Sequence, residues 1–351
     1  MVKARAAASL LVACIAAALL SAVSGGLVRA GVALPAMPQW LGQAVVDHAA
    51  LMIGAFMGTV IGVERAVALK WRPAWIAPVA SAAAGIALLA ATRELACALF
   101  VLAGAVFCAA SVLVVMRQPA RHTSLLLLGA LCWLAGNVGF AITGTQPAVV
   151  QSWFAFLVIT IAAERLEMTR LMPRRRGAFA ALMGLLALLI AGAAASGVLF
   201  GVALAGLAAW FLQFDIARRT VKAEGLSRYM AVCLLGGYGW LALAGLAWSA
   251  ATLGAPVRDL ALHTLGLGFV FSMMLAHAPV ILPAVTGLKV RYGAAFYVPL
   301  ALLHASLALR LVSQREGALA NAAALAVFAG VMAVSVSRAR ARPSRPASRC
   351  A

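Results

Sequence analysis

Acidic residues are scarce in this sequence. Nine Asp and Glu stand against 28 Lys and Arg in 351 residues, and charged residues of both signs total 11%. Soluble domains carry about 25%, so a large water-facing surface is excluded. Cysteine is sparse too: the six, at positions 14, 97, 108, 132, 233 and 350, form no CxxC pair. That excludes a disulfide framework and a cysteine zinc site. All but Cys350 fall in apolar runs, where cysteine serves as a small apolar residue. The sequence also has no glycine-rich nucleotide loop, no nucleophile triad and no CxxCH for covalent haem.

Hydrophobic residues fill the space: 65% of the chain, with a mean hydropathy of +1.03. Apolar runs of about 20 residues recur from end to end, each long enough to cross a bilayer as a helix. In lipid the backbone must satisfy its own hydrogen bonds, so these runs are helices. The expected fold is an all-α polytopic membrane bundle of about twelve helices. The spans read 6–28, 47–69, 74–92, 95–116, 123–143, 149–168, 177–195, 198–216, 229–253, 260–286, 293–313 and 317–336. Residues 1–337 form one transmembrane domain, and 338–351 a basic disordered cytoplasmic tail. The start, "MVKARAAASLLVACIAAALLSAVSGG", has the look of a signal peptide but is read as a retained helix.

With the N-terminus inside, 23 of the 28 Lys and Arg fall on the cytoplasmic side. Arg29, Arg93, Arg258, Arg310 and Arg315 fall opposite. This is the positive-inside pattern. The net charge of +19 is therefore a topology signal and no sign of a nucleic-acid partner. The partner is the lipid bilayer. Both termini are expected in the cytoplasm and the protein in a bacterial inner membrane.

Five histidines interrupt the apolar pattern. His122 lies in a basic loop and reads as solvated. His304 reads either as a packing residue or as part of a pathway. His48 opens "DHAALMIGAFMG" and His263 opens "HTLGLGFVFSMMLAHAPVILP". Both spans enter from the same side, so the two histidines share a depth. An ionisable residue in a membrane span is a functional candidate. Two neutral imidazoles from two helices can clamp one haem, with Gly54, Gly58, Gly266 and Gly268 letting backbone approach a flat macrocycle. The alternative is that these glycines pack helices and the histidines face interfacial water. His277, roughly 21 Å deeper on nearly the same face, is a second site, a proton-path residue, or a packing histidine using a carbonyl freed by Pro279. With Met273 and Met274 before it, a copper site is a further option.

These segments resemble two known families. His263, Gly268, a Met and apolar run and Pro283 are similar to the "HLNLLG…YH.LP" helix of the haem-copper oxidase superfamily, and "HAALMIGAFMG" to its "HG.LM" helix. Both also resemble the NnrS family of twelve-helix haem and copper membrane proteins. The resemblance covers about 60 residues in two helices. It implies a bis-histidine, haem b-like site at His48 and His263, linked to nitric oxide or respiratory stress handling. Spans six and seven contain no histidine, and residues 261 and 265 are Ala and Leu. A complete oxygen-reducing centre is thereby excluded.

"GVERAVAL" (62–69) and "AAERLEMT" (162–169) repeat Glu-Arg at a spacing of 100 residues. Four spans separate them, and span ten follows after four more, which points to three four-helix units. Glu64, Arg65, Glu164 and Arg165, with Arg170, read as structural ion pairs or as a proton path. Asp47 reads as the carboxylate steering His48, or as a helix cap. The competing function is a proton-coupled transporter, whose broken helix is "AHAPVILPAVTG".

Overall fold

The computed structural model describes residues 2–33, 36–169, 172 and 175–340. Fourteen helices follow one another, with no strand among the described residues. They are α1 (Val2–Arg29), α2 (Gln39–Val46), α3 (Ala50–Leu69), α4 (Arg72–Leu89), α5 (Arg93–Arg117), α6 (Arg121–Thr143) and α7 (Pro147–Met168). Then come α8 (Ala178–Ala195), α9 (Gly197–Phe214), α10 (Ala217–Thr220), α11 (Gly225–Thr252), α12 (Arg258–Thr286), α13 (Ala294–Arg310) and α14 (Gln314–Arg340).

Eleven of these are long and apolar enough to cross a membrane, and α13 is a shorter apolar helix. Eleven of the twelve expected spans are therefore found, and the expected span 293–313 is the shorter α13. The sequence reading missed α2, a short helix laid against α1 just before His48. It also ended the last span too early, because α14 runs on through Arg338 and Arg340. Of the expected tail, residues 341–351 lie outside the described residues, as do Arg170 and Arg174.

Consecutive long helices pack side by side, and α14 closes the ring against α1. Chain breaks follow local chemistry. Pro147 stands at the first turn of α7, where its missing N–H is not needed. Gly287 ends α12 in the left-handed conformation, with φ of 71°, which glycine adopts without a steric cost.

Three helices occupy the centre. In α7, α3 and α12, 72%, 61% and 61% of the apolar window is buried, against 17% for α1 and 22% for α14. These are spans six, two and ten, the ones that the four-helix-unit reading made equivalent.

Two of the central helices share an irregularity. Ala50–Met57 in α3 and Thr264–Phe271 in α12 are wound as π-helix. Each stretch is eight residues long and begins just after a histidine. A π stretch shifts the backbone register and is frequent at functional sites. Hydroxyls cover some of the carbonyls: Ser81 donates to Gly54 O at 2.6 Å, Thr59 to Ala55 O at 2.5 Å and Ser272 to Gly268 O at 2.6 Å. Phe56 and Phe271, each eight residues past its histidine, stack at 6.0 Å.

Candidate functional site

His48 and His263 meet. Their ring centroids lie 6.4 Å apart with the planes at 32°. The two residues are 215 positions apart in the chain, so it is the packing of α3 on α12 that joins them. His48 Nδ1 pairs with Ala22 O of α1 at 2.8 Å. His263 Nδ1 pairs with Asp259 O at 2.8 Å. In the tautomer these contacts favour, both Nδ1 atoms donate and both Nε2 atoms keep a lone pair. A second partner, Asp259 Oδ1, lies 3.2 Å from His263 Nδ1.

The rings line an apolar cleft with a volume of about 140 Å³. Met52, Met57, Phe154, Gly266, Phe271 and Leu325 are among its walls, which come from α1, α3, α7, α12 and α14. Its polar lining is His48, His263, Arg310 and Asn321. Arg310 forms a two-pronged pair with Asp259, at 2.7 and 2.9 Å, and its NH2 group comes within 3.4 Å of His263 Nε2.

Sequence reasoning missed Asp259, Arg310 and Gly26. A side-chain carbon on Gly26 would lie 2.8 Å from His48 Cε1, so the His48 ring lies directly on α1 because position 26 has none. "SGG" was legible only as the end of a signal-like run. Asp259 four residues before His263 is the one advance sign, since i and i+4 share a helix face.

Several expectations are corrected. Asp47 does not steer His48: its carboxylate pairs with Arg93 at 3.2 Å, and His48 is held by α1. Gly54 packs on Phe100, Gly58 on Trp133 and Ser81, and Gly268 on Trp240. These are helix-packing glycines, and of the four expected only Gly266 lines the cleft. Pro279 and Pro283 do not break α12, which stays helical to Thr286. The carbonyl that Pro279 leaves free, Leu275 O, accepts Tyr229 Oη at 3.2 Å, while His277 Nδ1 pairs with Met273 O at 2.7 Å. His304 is a packing histidine, accepting Trp240 Nε1 at 2.5 Å. His122 is half-buried and within 3.9 Å of Glu167.

At the other end of the central helices a second polar group forms. Glu64 lies within electrostatic range of Glu164, Arg65 and His277, and His277 within range of Arg165 and Asp215. Arg165 does not pair with a glutamate as expected. It forms a buried ion pair with Asp215 at 2.8 Å, and Asp215 also accepts Ala217 N at 2.7 Å. His277 therefore belongs to this group and not to the cleft. Among the described residues, no group of three or more His, Cys, Asp or Glu is arranged to hold a metal ion.

The fold defines an integral membrane protein of packed apolar helices with a histidine-paired cleft at one end. The chain belongs to the family described as Domain of unknown function (DUF8744), whose match spans residues 7–337. No curated protein and no solved structure matches the chain.

Proposed function

We propose that the cleft is a haem site that His48 and His263 would hold, and that the protein is a bis-histidine membrane haem protein. One observation carries this reading: two imidazoles from separate helices converge with their Nδ1 atoms engaged by backbone carbonyls. With ring centres 6.4 Å apart, the two imidazoles would be near enough to hold one metal ion between them. The apolar walls suit a flat, largely apolar group.

When bound, such a group supplies one-electron chemistry. The chain's own residues orient and shield it. Ala22 O and Asp259 fix the two rings, as outer partners of metal-bound histidines do. Arg310 pairs with Asp259 and lies 3.4 Å from His263 Nε2, so it would sit beside the bound group. The link to nitric oxide or respiratory stress rests on the resemblance of the two histidine helices to NnrS proteins. The bacterial inner membrane and cytoplasmic termini rest on the distribution of Lys and Arg.

The test is an oxidised and dithionite-reduced spectrum of protein expressed with ample haem, beside His48→Ala and His263→Ala. A sharp reduced α-band lost in both variants is expected. A wild-type protein without a Soret band sinks the reading.

The second reading, a proton-coupled transporter, is favoured by the matched π stretches of α3 and α12, since transporters place irregular helices at corresponding positions of repeats. The group around Glu64, Glu164 and His277 would then carry the proton. Proton-gradient-driven uptake by haem-free vesicles, lost in Glu64→Gln, is its expected signature.

A further inference from the structure

The end of the bundle opposite the histidines has a cleft that neither reading uses. It lies among the ends of α6, α7, α8, α9 and α10 and has a volume of about 960 Å³. Four arginines line it: Arg121, Arg175, Arg218 and Arg219. All four are exposed. None of them forms an ion pair among the described residues.

The whole chain has only nine carboxylates. Two lie nearby: Asp215, which lines the cleft and is paired with Arg165, and Glu167, 3.9 Å from His122. Three of the four arginines are held by other means. Arg121 lies over the Phe179 ring at 4.1 Å, Arg175 over Phe214 at 5.8 Å, and Arg218 donates to Gln213 O at 3.3 Å. Such contacts fix a guanidinium through its face or one edge, so remaining N–H groups stay available.

The cleft's depth identifies its occupant. It sits where apolar spans end, which in a membrane is the headgroup layer. Trp210, which lines it, donates to Ala178 O at 2.7 Å, and tryptophan concentrates at that layer. Beside the cleft, Met168 and Leu212 point outward, 54% and 40% exposed, as side chains facing acyl chains would. Guanidinium recognises phosphate with paired, charge-assisted hydrogen bonds, and basic pockets between membrane helices take phosphate headgroups.

We infer that this cleft binds the phosphate headgroup of an anionic phospholipid, with Arg121, Arg175, Arg218 and Arg219 as the phosphate-binding residues. The inference is independent of the haem reading, because the cleft shares no residue with the histidine site.

The test compares the delipidated, detergent-purified full chain with diphosphatidylglycerol, phosphatidylcholine and inorganic phosphate, read by native mass spectrometry and thermal unfolding. Diphosphatidylglycerol is expected to bind and raise the Tm, with phosphatidylcholine and inorganic phosphate much weaker. The exposed pair Arg175→Gln/Arg219→Gln should weaken binding about a hundredfold, two charged hydrogen bonds being lost. Arg338→Gln/Arg340→Gln, at the same end of α14, should leave it unchanged. Equal binding of phosphatidylcholine overturns the inference, as does an equal loss in the control pair. An equal Tm rise with inorganic phosphate would make the occupant a soluble phosphate and overturn the lipid assignment. These readouts involve no haem, so a missing Soret band leaves them intact.

Discussion

The two ends of α3 and α12 are built from the same pair of helices and do opposite things. At one end the helices bring together His48 and His263 beside an open apolar cleft. The charges there are paired locally, Asp47 with Arg93 and Asp259 with Arg310. At the other end they carry Glu64 and His277 into a charged group with Glu164, Arg65, Arg165 and Asp215. The difference comes from the third neighbour. At the histidine end it is α1, which offers a glycine and a carbonyl. At the charged end it is α7, which brings Glu164 and Arg165, joined by Asp215 from the segment after α9. A histidine pair beside a cleft is arranged to receive something. A closed ion pair is arranged to hold helices together.

The sharpest way to break this comparison is at the Arg165–Asp215 pair. The side chains are 4% and 0% exposed. Removing one partner of a buried pair leaves an uncompensated charge and costs about 3–5 kcal/mol. Arg165→Met should therefore lower the unfolding temperature strongly in detergent. Arg165→Met/Asp215→Asn should recover most of the loss, because the stranded charge is gone. A single variant that melts like wild type would show that the pair is not structural.

At the histidine end the expected cost is in binding. Asp259 holds His263 through its carbonyl and its carboxylate, and anchors Arg310. Loss of an outer partner of a metal-bound histidine costs about 10–100-fold in affinity. Asp259→Asn should weaken haem binding by that range and also lower the melting temperature, because it strands the nearly buried Arg310 charge. Asp47→Asn should change it by less than about twofold, since that carboxylate faces Arg93. A larger effect at Asp47 would restore the expectation that the structure overturned.

Much of this was legible in the sequence. Apolar run length reported the spans, because lipid forces each run to be helical. The shared depth of His48 and His263 followed from alternating span direction, and their pairing from the resemblance. What stayed hidden was local winding. The periodicity of an ideal α-helix placed His277 on nearly the same face as His263. The π stretch at Thr264–Phe271 turns less per residue than an α-helix, so that periodicity does not hold through it. Glycine was the other blind spot. Gly26, Gly54, Gly58 and Gly266 are chemically identical in the sequence. Only packing decides that the first seats an imidazole, the next two seat aromatic rings and the last lines a cleft. Arg310 and Asp259 were hidden by distance, 51 residues apart and joined through tertiary packing.

The smallest expected effect separates packing glycines from a cleft glycine. A methyl group on Gly54 would meet Phe100 at 2.8 Å. Phe100 is fully buried against Phe140 and has little room to yield, so Gly54→Ala should destabilise by about 1–3 kcal/mol. On Gly266 the nearest atoms, of Phe154, lie at 3.8 Å, an ordinary contact. Gly266→Ala should keep its stability within about 0.5 kcal/mol yet narrow the cleft by one methyl. If the cleft seats a flat ligand, this variant shows wild-type melting with a measurably faster loss of haem. If Gly266→Ala instead melts early and binds normally, Gly266 is one more packing glycine, and the seat of the ligand must be sought elsewhere around the two rings.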